Sequence, residues 1–155
     1  MELLCAVVTA YFATRPSYTY FDSEKAQILV SFAHGGKAKG GCRKPTAEEN
    51  AKLAPNMRRK LICSRERVDL LFEMSIDGEV VFNEMLEPTG LRSDGPSRVY
   101  KKFAVATGRH EVEFKLRDSN REEGFDYIRK AEVDLKPGQN FSVDFKASQG
   151  GFKFE

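Results

Sequence analysis

From Val68 onward the hydrophobic positions recur with a period of two. Val68, Leu70, Phe72, Met74 and Ile76 fall on one face, and Asp69, Glu73, Ser75 and Asp77 on the other. That alternation predicts a half-buried strand, because successive side chains of a strand point to opposite faces. Asp77-Gly78 predicts a two-residue hairpin turn, since both residues tolerate positive φ, and Val80 and Phe82 lead the return strand. Val99, Lys101, Phe103 and Val105 alternate again. After a turn at Thr107-Gly108, His110, Val112, Phe114 and Leu116 share one face, opposite Arg109, Glu111, Glu113, Lys115 and Arg117. A polar loop, Asp118 to Gly124, precedes a strand region from Phe125 to Leu135. Lys136-Pro137-Gly138-Gln139 fits a type II turn, with Pro second and Gly third. Phe141, Val143 and Phe145 alternate after it, and Gly150-Gly151 breaks the chain before Phe152 and Phe154.

Upstream, Ala26 to Ala33 is a strand candidate that stops at His34. The next seven residues, Gly35 to Gly41, hold four glycines and predict a flexible loop. Thr46 and Glu49 have capping-box spacing, which predicts a short helix from about Ala47 to Leu53, ended by Pro55. About seven or eight short strands with turns every 8–12 residues or so argue for an all-β fold, an antiparallel β-sandwich. The expected organisation is an apolar, aromatic N-terminal segment (1–21) and one sandwich domain (22–155). A basic loop and helix insertion (34–67) interrupts that domain.

Composition agrees with one folded domain. The chain has 155 residues, of which 41% are apolar and 31% charged; this excludes general disorder, collagen-like repeats and a polytopic membrane protein. Twelve Phe and five Tyr supply core material in the absence of Trp. No GxSxG, P-loop, HExxH or helix-feeding GxGxxG is present, so no catalytic residue and no cofactor are assigned. His110 has the parity of an apolar face and reads as a half-buried, satisfied histidine. His34, at a strand end, reads as a loop residue or an exposed ligand. Glu48/Glu49 and Glu122/Glu123 read as solvated surface.

Charge is more informative in its distribution than in its total of +2. Between Gly35 and Arg67, ten basic residues (Lys37, Lys39, Arg43, Lys44, Lys52, Arg58, Arg59, Lys60, Arg65 and Arg67) face only Glu48, Glu49 and Glu66. That is a net of +7, leaving −5 for the rest. Such asymmetry attracts anionic partners. No aromatic residue is interleaved there, as single-stranded nucleic acid would require. The plain reading is a solvated face partly paired with acidic strands; as a binding surface the segment would take an unidentified protein partner or an anionic membrane surface, with nucleic acid disfavoured. Arg58, Arg59, Lys60, Arg65 and Arg67 are the candidate binding residues. The loop Glu87 to Ser97 adds Arg92 and Asp94, set between rigid turn residues, and the Asp118–Arg121 and Phe125–Tyr127 stretches are candidates to lie near it.

Cys42 and Cys63, 21 residues apart, pair in an oxidising compartment and stay reduced in the cytosol. Without a CxxC, zinc and thioredoxin-type readings are weak. His34, Cys42, Met57 and Cys63 together would suit Cu(I), though the spacing matches no strict ligand pattern; copper handling is kept as an alternative function and no metal site is assigned. Residues 3–13 are almost all apolar. They are too few to span a membrane and read either as a buried element of a cytosolic domain or as an incomplete anchor. Cys5 lacks the small preceding residues of a lipoprotein cysteine. Pro16 ends any helix entering from the N-terminus, and Tyr11, Tyr18, Tyr20 and Phe21 suit either an interface belt or a packed strand.

The blocks SFAHGG, LAPNMRRKLICSRERVDL, DGEVVFNE, GLRSDGPSRVYKKFAV, TGRHEVEFKLRDSNREEGFDY and LKPGQNFSVDF resemble a set of short, functionally uncharacterised proteobacterial envelope proteins. That set has one N-terminal hydrophobic helix and an exported β-domain. The resemblance covers roughly Ala26 to Glu155 and implies a periplasmic location, or a membrane anchor facing the periplasm. This chain departs from it where Met1 to Ala13 is shorter than that helix. Ile76-Asp77-Gly78 and Thr107-Gly108-Arg109-His110 are more weakly similar to PEGA-type β-modules. The expectation is therefore a non-enzymatic, envelope-associated accessory protein acting by protein–protein contact. Copper handling and a cytoplasmic binder of nucleic acid or another anionic surface are the alternatives.

Overall fold

A computed structural model describes residues 2–15 and 22–155; the readings of Pro16, Tyr18, Tyr20 and Phe21 lie outside the described residues. The chain runs α1 (Glu2–Thr14), β1 (Ala26–His34), β2 (Cys42–Arg43), α2 (Ala47–Ala51), β3 (Ile62–Cys63), β4 (Leu70–Ile76), β5 (Glu79–Leu86), β6 (Ser97–Val105), β7 (Gly108–Arg117), β8 (Tyr127–Leu135), β9 (Asn140–Lys146) and β10 (Gly151–Phe154). Eight strands form two four-stranded sheets, ordered β10-β9-β1-β6 and β5-β4-β7-β8, and β2-β3 form a small ladder of their own.

The two sheets face each other through their period-two apolar positions. Ile28, Val30 and Phe32 of β1 meet Leu70, Phe72 and Met74 of β4 and Val112, Phe114 and Leu116 of β7 in one buried cluster. Aromatic rings bridge the layers: Phe32–Phe72 at 5.3 Å, Phe82–Phe103 at 5.8 Å and Tyr127–Phe145 at 5.0 Å between centroids. This is an all-β, sandwich-like architecture. Asp77 and Gly78 both take positive φ, 53° and 83°, as a two-residue hairpin with twisted strands demands. Asp77 also accepts from the Glu111 backbone N–H at 2.9 Å and pairs with His110 Nδ1 at 2.7 Å. His110 is therefore half-buried and satisfied.

Four sequence expectations need correction. The sandwich is not wholly antiparallel, because β9 runs parallel to β1 (Gln27 opposite Asn140, Val30 opposite Val143). The β8–β9 connection crosses between sheets, which leaves β9 entering the first sheet in the direction of β1. Val80 does not lead a core face: a bulge in β5 places an extra residue opposite the Met74–Ser75 step, so Phe82 is buried while Val80 stays exposed. Lys101 has core parity opposite Val30, yet it is exposed, and its ammonium lies 5.4 Å from the Phe82 ring centroid. At an open sheet edge, a lysine covers the aromatic ring with its stem and keeps its charge in water.

The fourth correction concerns the glycine loop after β1, which is pinned rather than flexible. Lys37 N–H donates to Asp118 O at 2.8 Å, Val68 N–H to Lys37 O at 3.0 Å and Lys39 N–H to Glu66 O at 2.8 Å. Ala38 bridges to Arg67 and is buried. Gly36 allows this crossing, since a Cβ there would stand 2.3 Å from Val68 O. The insertion thus leaves and re-enters the sandwich through a fixed base. At the other end of the chain, α1 carries exposed Leu3, Leu4, Val7, Val8, Tyr11 and Phe12, so those side chains are not part of a buried element. Among the described residues, no helix is long and apolar enough to cross a membrane.

Candidate functional site

The basic insertion has its own internal scaffold. Cys42 and Cys63 are disulfide-bonded and sit opposite each other in β2–β3, with Arg43 opposite Ile62. Such a bond belongs to an oxidising, non-cytoplasmic environment. Inside the closed loop, α2 is capped as its sequence predicts, although it ends at Ala51. Thr46 Oγ1 accepts from Glu49 N–H at 3.2 Å, and the Glu49 carboxylate accepts from Thr46 N–H at 2.8 Å. Arg43 adds a two-pronged bond to Glu49, at 2.8 and 2.7 Å. This Arg43 fork, with the Thr46 N–H behind it, lowers the Glu49 carboxyl from 4.5 to about 2.

Asn50 then fixes the next segment. Its Oδ1 accepts from Arg59 N–H at 3.1 Å and its Nδ2 donates to Arg59 O at 3.2 Å. The backbone of the densest basic stretch, Arg58-Arg59-Lys60, is therefore clamped to α2 while its side chains project outward. Arg58, Arg59, Lys60 and Arg65 are exposed and form no ion pair among the described residues, and the same is true of Lys44 and Lys52. Met57 and Leu61 flank this stretch and are exposed as well. Three other cations of the insertion are already engaged: Lys39 with Glu66 at 2.7 Å, Arg43 with Glu49, and Lys37 with Asp118 at 3.7 Å.

Arg67 differs from the other four candidate binding residues. It is half-buried, its guanidinium donates to Gly36 O at 3.3 Å and its backbone N–H to Ser93 O at 2.8 Å. It belongs to the base of the insertion. Through Ser93 it draws the 87–97 loop against that base, which puts Arg92 and Asp94, both exposed, on a neighbouring surface. The loop keeps its shape through its own bonds: Gly95 N–H to Thr89 O at 2.8 Å and Thr89 Oγ1 to Pro96 O at 2.8 Å. Leu91 at its tip is fully exposed.

A second polar cluster lies under the insertion. His34 Nε2 meets Asp118 Oδ2 at 2.9 Å, and the His34 ring sits 4.8 Å from Phe145. Asp118 is buried, and among the described residues its Oδ1 has no hydrogen-bond partner; the Lys37 ammonium lies 3.7 Å from it. Asp118 N–H and Ser119 Oγ both donate to Asp126 Oδ2, at 3.0 and 2.7 Å, and Arg121 lies 3.2 Å from Asp126 Oδ1. Burial alone would raise Asp126; the Ser119 and Asp118 donors and the Arg121 charge outweigh it and lower its carboxyl below the usual range. Tyr127 is raised, first by burial and then by the Asp118 charge. The cluster ties the glycine loop to the exit of β7, and the Asp118–Arg121 turn lies at the insertion's base.

The soft-metal set is not assembled. Cys42 and Cys63 are bonded to each other and His34 is bonded to Asp118. Among the described residues no group of three or more His, Cys, Asp or Glu is placed to hold a metal ion. No family model matches the chain, and no curated protein matches it. Sequence reasoning missed Asn50, whose partner lies nine residues on with no periodic signal. It also missed the burial of Asp118, which sits in a run that reads as an ordinary polar turn.

Proposed function

We propose that this chain is a non-enzymatic binding domain of the bacterial envelope, and that its disulfide-closed basic insertion holds an acidic segment of a protein partner. The observation that carries the reading is the rigid presentation of unpaired charge. Arg58, Arg59 and Lys60 lie on a backbone clamped by Asn50 within a loop closed by Cys42–Cys63, and among the described residues no carboxylate neutralises them. Preorganised cations lose less side-chain and loop freedom on binding, and this favours affinity. Exposed Met57 and Leu61 beside them supply apolar contact of the kind a protein surface offers. The lack of an aromatic stacking platform in residues 35–67 disfavours nucleic acid. The disulfide supports an oxidising compartment, and the apolar residues of α1 support attachment at the envelope.

The test uses labelled poly-L-glutamate, followed by fluorescence anisotropy across a salt series. Arg58→Glu with Arg59→Glu should weaken binding by about tenfold or more and flatten its salt dependence. Asn50→Ala should weaken it less, because the charges remain and only their placement is lost. Parallel titrations with a single-stranded oligonucleotide and with anionic-lipid vesicles separate the other anionic partners. Unchanged poly-L-glutamate binding after charge reversal removes the proposal.

A further inference from the structure

We propose that the Cys42–Cys63 disulfide is a site of thiol–disulfide exchange with a dithiol partner, and that its reduction switches the basic insertion from a fixed to a loosened state. The consequence for binding rests on the function proposed above; the exchange chemistry does not.

Two observations converge on the bond. Both cysteines are exposed, and the disulfide lines two open clefts. One, of about 400 Å³, is lined by Lys39, Gly40, Gly41, Arg43, Ile62 and Ser64; the other, of about 420 Å³, includes Lys37, Ala38, Arg67 and Asn120. Gly41 and Ser64, each a chain neighbour of one of the cysteines, carry little side chain to shield the sulfurs from an attacking thiolate. Finally, the bond is separable from the core. No residue from 42 to 63 is buried, and the β2–β3 ladder holds only two residue pairs. The base of the insertion is fixed independently by Lys37, Ala38, Lys39 and Arg67. Opening the disulfide therefore frees the loop without dismantling the sandwich.

The exchange balances without any other reactant. A partner thiolate attacks one sulfur, the Cys42–Cys63 bond breaks, and the other cysteine leaves as a thiolate. The partner's second thiol, giving up its proton, attacks the mixed disulfide and releases the first cysteine. The partner leaves as a disulfide, two electrons oxidised, and the two cysteines take up two protons.

The experiment uses the full chain carrying Cys5→Ser, which removes the free thiol of α1. The folded protein is treated with dithiothreitol, thiols are trapped with iodoacetamide and counted by mass spectrometry, and near-ultraviolet dichroism of the aromatic core is recorded alongside. The expected result is two trapped thiols per chain with an unchanged core signal, and poly-L-glutamate affinity reduced several-fold. Cys42→Ser with Cys63→Ser should reproduce the reduced affinity without reductant. Thiols that appear only when the core signal is lost would overturn the exchange site. Thiols that appear natively with unchanged affinity would overturn the switch. Native trapping together with failure of the Arg58/Arg59 reversal would leave the exchange site standing and sink the acidic-partner reading instead.

Discussion

Replacing Phe152 by Ala tests whether the four-residue terminal strand β10 is part of the cooperative core. Phe152 is 2% exposed. Its ring centroid lies 5.0 Å from Phe145, 5.6 Å from Phe114, 6.0 Å from Phe72 and 6.2 Å from Phe32. It therefore touches both sheets. A buried Phe→Ala change costs about 3–5 kcal/mol, and aromatic pairs contribute about 0.5–1.5 kcal/mol each beyond area burial. Four ring partners place this site near the top of the range, at about 4–5 kcal/mol. For a chain of this length that lowers Tm on the order of 10–20 °C. Phe154→Ala is the internal comparison. Phe154 is only half-buried, against Phe114 and Phe141, and should cost about 2 kcal/mol. Urea unfolding followed by tyrosine fluorescence measures both, with an unchanged m-value required for the comparison. A Phe152→Ala cost below about 2 kcal/mol, or equal to that of Phe154→Ala, would mean that β10 frays independently. The ring cluster would then not be the centre of the fold.

Gly36→Ala and Gly35→Ala form a sharp pair at the base of the insertion. The first would place a Cβ 2.3 Å from the Val68 carbonyl oxygen, while the second meets nothing within 4 Å. Thermal melts should show a loss of about 1–3 kcal/mol for Gly36→Ala and almost none for Gly35→Ala; equal melts would refute the pinned crossing. Glu49 carries a pH dependence. Its folded-state value of about 2 lies below the ordinary 4.5, so its contribution is complete above pH 4.5 and is lost as pH falls towards about 2. The protection factors of amides 47–51, with exchange rates corrected for their intrinsic pH dependence, should fall across that window, and Glu49→Gln should abolish the change; protection factors flat with pH would count against the Arg43–Glu49 anchor.

The strands were legible because the core is built from local alternation. Leu70, Phe72 and Met74, and likewise Val112, Phe114 and Leu116, follow a parity that any half-buried strand must keep. The Asp77-Gly78 and Pro137-Gly138 turns and the Thr46–Glu49 cap were readable for the same reason: each depends on residues no more than three apart. The +7 segment and the Cys42–Cys63 pair were also visible as composition and spacing. Tertiary structure alone decided the parallel pairing of β9 with β1, since the direction of a strand leaves no mark on its own pattern. It decided that Lys101 leaves the core face, because parity does not reveal which strand lies at an edge. It also turned the glycine loop from a flexible tether into a pinned crossing, through backbone bonds to Asp118, Glu66 and Val68. Above all, it separated Arg67, spent on the base, from Arg58, Arg59 and Lys60, which Asn50 holds outward. Charge is a property of sequence, but whether a charge is neutralised within the chain depends on which distant groups the fold brings within a few ångströms.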